Sequence, residues 1–232
     1  MSTHDSSVVD SPGASRSRAF RRRLIWGLWA LALAVGVGAG AAVALIHRHH
    51  APAIRSAPPL HDVATWAAGT RPAPDFRLTD QHGTPFSLHD LRGKPAIVTF
   101  IDPLCRNMCP LEAKVLTSAI GQVPAAKRPT IVAVSVNPPG DTKATFAEDR
   151  THWRLPPQWR WGAANERTLA KVWKDYAIGV QTTSKTIAGV TVQEVEHTEA
   201  AYIVDGTGHE RALLLYPFQA DDVLATLRQL DR

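Results

Sequence analysis

Cysteine and methionine are scarce in this chain, with two of each in 232 residues. The two thiols, Cys105 and Cys109, fall short of the four N or S ligands of a structural zinc site unless histidines join them. Basic residues are missing where a nucleic-acid surface would need them. Of the 26 Lys and Arg, five (Arg16, Arg18, Arg21, Arg22 and Arg23) precede residue 24, against Asp5 and Asp10. That leaves 21 basic and 19 acidic residues, a net of +2, with no basic stripe interleaved with aromatics. The overall charge of +5 thus mostly reports an N-terminal cluster, and no nucleic-acid partner is expected. No internal repeat is visible.

Charge is also absent from Leu24 to Ile46, a run long enough to cross a bilayer as a helix, which takes roughly 20 apolar residues. Trp26 and Trp29 stand near its arginine end, where interfacial aromatics collect. A cleaved signal peptide is the rival, but its apolar core is typically about 7–15 residues. The arginines before the span, against Arg48 after it, place the N-terminus in the cytoplasm and everything from residue 47 outside, where thiols can be oxidised. The expected organisation is a disordered cytoplasmic tail over 1–23, a transmembrane helix over 24–46, an extended linker over 47–72 and one folded domain over 73–232. His47, Arg48, His49 and His50 read as a solvated flank of the span, with metal capture as the alternative.

The folded part opens with apolar alternation on both sides of Gln81–Thr84, which predicts a β-hairpin. Ala96–Ile101 and Thr130–Val136 are nearly continuous apolar runs suited to strands buried on both faces. Thr142 or Asp141 caps a helix to about His152, and Asn165 caps another that carries Leu169, Val172, Trp173 and Tyr176. Trp159–Trp161 fits a short strand, and Val180–Val192 an inserted hairpin or long loop bent at Gly189. Ala200–Val204, a turn at Asp205–Gly208 and Ala212–Tyr216 predict an antiparallel pair, before a final helix through Val223, Leu224, Leu227 and Leu230. The order β–α–β–α–α–β–β–α predicts an α/β fold, a mixed sheet covered by helices. Trp153, Trp159, Trp161 and Trp173 are assigned to the core or its edge.

The chemistry gathers at Phe100-Ile-Asp-Pro-Leu-Cys-Arg-Asn-Met-Cys-Pro110, where a buried strand ends in a loop bearing both cysteines. A helix follows, with Leu111, Val115, Leu116, Ala119 and Ile120 on its apolar face. Pro110 suits the first helical position and makes Cys109 the N-cap. The helix end and Arg106 both favour thiolate, the form that attacks disulfides or binds metal. A C-x₃-C spacing leaves several readings open: two buried thiols, a thiol–disulfide exchanger (more often C-x-x-C), or a Cu(I) site of two thiolates and an imidazole. His197, just before a sheet strand, is placed to join the thiols, although an ordinary histidine is an equal reading; His82, His89, His152 and His209 fit less well. Met108 is assigned to packing in the helix turn, with a thioether ligand as the alternative.

Four stretches together resemble the Sco/SenC family: Cys105-x₃-Cys109-Pro110, Asp75-Phe-x-Leu-Thr-Asp-x-x-Gly83, Phe86-Ser-Leu-x-Asp-Leu-Arg-Gly-Lys94, and His197-Thr-x₃-Tyr-Ile-Val-Asp205. The likeness spans about residues 73–230. It implies a thioredoxin-like fold that holds one copper ion through Cys105, Cys109 and His197. It also implies copper delivery to, or thiol reduction at, the CuA centre of cytochrome c oxidase, with thiol reductants or other copper carriers as further partners. Glu196 is expected to orient the imidazole. Arg106-Asn107-Met108 between the cysteines and Asn137-Pro138 after the second strand depart from the family pattern. The chain is thus expected to be a metallochaperone; as an enzyme it would be a thiol–disulfide oxidoreductase with Cys105 and Cys109 as its redox-active pair and possible disulfide.

Overall fold

The protein is described here over residues 64–230 of a computed structural model. The tail, the apolar run 24–46 and most of the linker lie outside these residues. Among the described residues no helix is long and apolar enough to cross a membrane.

The expected central strand forms as β4 (Ala96–Ile101), with all six residues buried. It pairs in parallel with β5 (Thr130–Ser135), and β5 in parallel with β6 (Trp159–Gly162). On its other side β4 pairs antiparallel with β9 (Ala200–Val204), which continues into β10 (Glu210–Leu215). A two-residue edge strand, β1 (Ala64–Thr65), closes the order β1-β10-β9-β4-β5-β6. This corrects the linker boundary, because the chain joins the sheet eight residues before position 72. Trp66 takes the Arg71 guanidinium over its ring, and Arg71 pairs with the buried Glu210, which holds the segment down.

Period-2 alternation along β4 supplies both faces of the core. Ile97 and Ile101 pack with α1 (Met108–Gly121), α2 (Lys143–His152) and α4 (Ala220–Leu230). Val98 and Phe100 pack on the other side with α3 (Glu166–Asp175) and the hairpin β2–β3 (Arg77–Thr79, Pro85–Ser87). Full burial of side chains such as Leu116 and Ile120 contributes about 1.5–3 kcal/mol each. Thr142 and Asn165 cap α2 and α3 as their sequences predict. Trp159 and Trp161 are buried, while Trp153 and Trp173 pack at the margin of the core.

Two strands then leave the main sheet as a separate ribbon, β7 (Val180–Ile187) and β8 (Val190–His197). Ala188 and Gly189 both have positive φ, 50° and 82°, the pattern of a two-residue primed turn that matches strand twist. The ribbon is longer than the sequence suggests because Gln193–His197, which lack a strand signal of their own, pair back across it to Ser184–Val180.

Candidate functional site

The loop between β4 and α1 is built by Asp102. Its carboxylate accepts from the Leu104 N–H at 2.8 Å and from the Asn137 side-chain amide at 2.9 Å, and its carbonyl accepts from the Cys105 N–H. Asn137, noted as a departure from the family pattern, thus ties the cysteine loop to the end of β5. Gly140 permits this packing, since a Cβ there would lie 2.8 Å from Leu104 Cγ.

Helix α1 begins earlier than expected. Asn107 is the N-cap, accepting from the Met108 N–H at 2.7 Å, because a side-chain carbonyl is a far better acceptor than a thiol. Cys109 is the second helical residue and Pro110 the third, where the missing N–H still has no helical acceptor to lose. The buried stripe is Cys109, Glu112, Ala113, Leu116, Ala119 and Ile120; Leu111, assigned to the core, is 49% exposed.

The two thiols are free and unequal. Cys109 is fully buried, whereas Cys105 is half-exposed. A hydrogen bond from the Cys109 thiol, helped by backbone N–H groups of the helix start, lowers Cys105 to about 6. The Cys109 N–H lies 3.4 Å from the Cys105 sulfur. Asn107 Oδ1, which caps the helix, also lies 3.0 Å from that sulfur and accepts from its thiol. The same shared hydrogen bond, with burial, pushes Cys109 up. Arg106 has no part in this, contrary to expectation: its guanidinium turns to the Pro103 and Cys105 carbonyls and to the buried Asp149.

His197 reaches the site from the end of β8. Its Nε2 lies 3.8 Å from Cys109 Sγ, and its Nδ1 lies 3.1 Å from the Thr198 carbonyl. An Nδ1–H donated to that carbonyl leaves Nε2 as a lone pair facing the sulfur. Burial lowers the imidazole's pKa, which keeps it in the neutral, metal-binding form. The orienting group is thus the Thr198 backbone. Glu196 stands instead on the ribbon, opposite Gln181. Two ligands at about 2.3 Å (S) and 2.0–2.1 Å (N) from one ion, about 120° apart, are separated by about 3.8 Å, so this pair fits a shared ion.

Two residues of the site were missed in the sequence. Glu199 joins Cys109 and His197 in a group whose ligand atoms all lie within 4.8 Å of one another. Period-2 alternation, which sets residues 197 and 199 on one side, is the signal that could have found it. Glu112 is buried three residues beyond Cys109, a carboxyl inside an apolar stripe. A cleft of about 640 Å³ opens between the cysteine loop and β8, lined by Cys105, Met108, Glu194, Glu196, His197 and Glu199. Met108, assigned to packing in the helix turn, is 39% exposed and lines this cleft. His82, His89, His152 and His209 belong to neither the ligand group nor the cleft.

A mixed sheet between helices, with paired thiols where β4 meets a helix, defines a thioredoxin-like domain. The thioredoxin domain of a thiol–disulfide oxidoreductase from Bacteroides vulgatus superposes with a TM-score of 0.51 at 20% identity, covering 73% of this chain and 99% of that one. ScoI of Bradyrhizobium japonicum with copper bound matches with a TM-score of 0.57 at 22% identity, over 68% of this chain and 98% of that one. ScoI of Arabidopsis thaliana with copper bound gives 0.61 at 19% identity, over 69% and 98%. No curated protein matches. Residues 66–231 match the family described as SCO1/SenC, and the chain belongs to that family.

Proposed function

We propose that this protein is a membrane-anchored copper carrier of the respiratory chain. It binds one copper ion through Cys105, Cys109 and His197 and delivers it to the CuA-bearing subunit of cytochrome c oxidase. The observation that carries the reading is the neutral His197 Nε2 held 3.8 Å from Cys109 Sγ, beside a second thiol of lowered pKa. Two soft thiolates and an imidazole favour Cu(I). The relatives with copper bound support the choice of metal. Both cysteines must be reduced and deprotonated to bind, so their redox state gates loading. Copper is cargo here and leaves by ligand exchange, with no turnover.

The setting of the thiols supports a protein acceptor. Leu104, Met108 and Leu111 are exposed apolar side chains on or beside the cysteine loop, an unusual surface unless a partner covers it. The run 24–46 supplies the bilayer anchor, with the domain on the extracytoplasmic side, in this reading.

The test is Cu(I) binding by the reduced full chain in competition with a chromogenic chelator. The expected outcome is one copper per chain, with an affinity that His197→Ala lowers about 10- to 100-fold. Parent-like binding by that variant would sink the ligand assignment. Transfer to a soluble CuA domain, followed by the growth of its absorption bands, tests delivery.

The alternative, an extracytoplasmic thiol–disulfide oxidoreductase, is favoured by one observation: the thiols are unequal in the manner of an attacking and a resolving cysteine. The Cys105 thiolate would attack a substrate disulfide and release one substrate thiol. Cys109 would then displace the second, leaving a Cys105–Cys109 disulfide that has given up the two electrons and two protons the substrate thiols gain. Catalytic reduction of a disulfide substrate by metal-free protein, insensitive to His197→Ala, would favour it over the carrier.

A further inference from the structure

The geometry points to Glu199 as an oxygen ligand for divalent ions, so that Cys109 and His197 belong to two overlapping donor sets. With Cys105 they form the soft set for a monovalent ion; with Glu199 they form a mixed S, N, O set for a divalent one. The inference rests on the reading of Cys109 and His197 as metal ligands and adds a residue that reading does not use.

Three observations carry it. First, Cys109, His197 and Glu199 are the group of potential ligands gathered within a mutual 4.8 Å among the described residues, and Cys105 is not a member. Second, the Glu199 carboxylate, half-buried on the cleft, has no hydrogen-bond donor or ion-pair partner among the described residues. Third, the backbone around it is pinned. Thr198 exchanges hydrogen bonds with Gly179, from its N–H at 2.9 Å and to its hydroxyl at 3.2 Å, and the Glu199 carbonyl accepts from the Tyr216 N–H at 3.0 Å. With the backbone held in this way, only the Glu199 side chain has to order on binding.

The chemistry separates the sets. Thiolates select Cu(I), whereas an added carboxylate suits Cu(II) and Zn(II), which take harder or mixed ligands. The consequence is a site that keeps a divalent ion on its buried members while the exposed Cys105 sulfur stays free.

Zn(II), which cannot oxidise the thiols, is the divalent probe, and Cu(I) the monovalent one. Both affinities are measured by competition on the reduced full chain in detergent, for the parent, Glu199→Gln and Cys105→Ser. The Zn(II)-to-Cu(I) affinity ratio is expected to fall about tenfold or more in Glu199→Gln and to rise by a similar factor in Cys105→Ser. A misfolded variant lowers both affinities together, so it leaves the ratio in place. Zn(II) and Cu(I) affinities both at the parent's values in Glu199→Gln overturn this inference while leaving the copper site intact. If the parent binds neither ion, or His197→Ala alters neither affinity, the copper reading itself has failed and Glu199 falls with it.

Discussion

Glu112 shows how much a single residue can weigh. Its carboxyl has no exposure; Thr99 donates to one oxygen, and the other has no partner among the described residues. Burial pushes its pKa up to about 8 from 4.5. A folded-state pKa above the unfolded one means that the folded protein holds the proton more tightly. Its stability is therefore unaffected below the unfolded value and declines as pH rises from there towards about 8. The slope is at most about 1.4 kcal/mol per pH unit. Glu112→Gln removes this dependence, so the difference in Tm between variant and parent should shift in the variant's favour from pH 5 to pH 8. Thermal melts across that range check it, and parallel profiles would contradict the buried-carboxyl account. At the same scale, the family resemblance named Cys105, Cys109 and His197 as a ligand set. Spacing alone could not set their roles. Which thiol ionises is decided by the Cys109 hydrogen bond and the helix N–H groups, and not by the adjacent Arg106.

Among the elements, the β7–β8 ribbon stands apart, a two-stranded sheet that shares no strand with the main one. Its residues Gln181–Thr186 are exposed, and Lys185 and Glu194 pair across it. Since it buries so little, its work lies in walling the cleft beside His197. Removing residues 183–194 and joining 182 to 195 through Asn-Gly should leave the Tm within a few degrees of the parent. Loss of that wall should speed Cu(I) dissociation, on the order of tenfold, as water and competing ligands gain access. Stopped-flow transfer to a chelator checks both the rate and, against circular dichroism melts, the intact fold. Most elements were legible because each carried a local signal: β4 and β5 as aliphatic runs, α2 and α3 through Thr142 and Asn165, β2–β3 through its Gly turn. The start of α1 was misplaced because Pro110 is tolerated anywhere in a first turn. β1 gave no signal, because two residues pairing with a strand some 150 positions later leave no local pattern.

For the molecule as a whole, one sheet brings distant segments together. β9 lies antiparallel beside β4, so the residues entering β9 meet the loop leaving β4. That adjacency carries His197 to Cys109 across 88 positions. The proposed anchor makes a prediction at this scale. The full chain should remain with membranes through an alkaline carbonate wash. Protease added from the extracytoplasmic side should digest the domain while an epitope placed before residue 24 survives. Release by the wash, or the opposite protection, would overturn the proposed topology.

The sequence by itself determined most of the strands, the caps of α2 and α3, the two thiols at a helix start and the membership of a family, because hydrophobic period, turn chemistry and motif spacing are properties of neighbouring residues. The tertiary structure alone decided that the Thr198 carbonyl turns the His197 ring, that Glu199 stands beside it, that Glu112 is buried and that the first residues of the domain join the sheet. Each depends on segments far apart in the chain meeting at fixed distances, and on the water that such meetings exclude, neither of which is written in any local stretch.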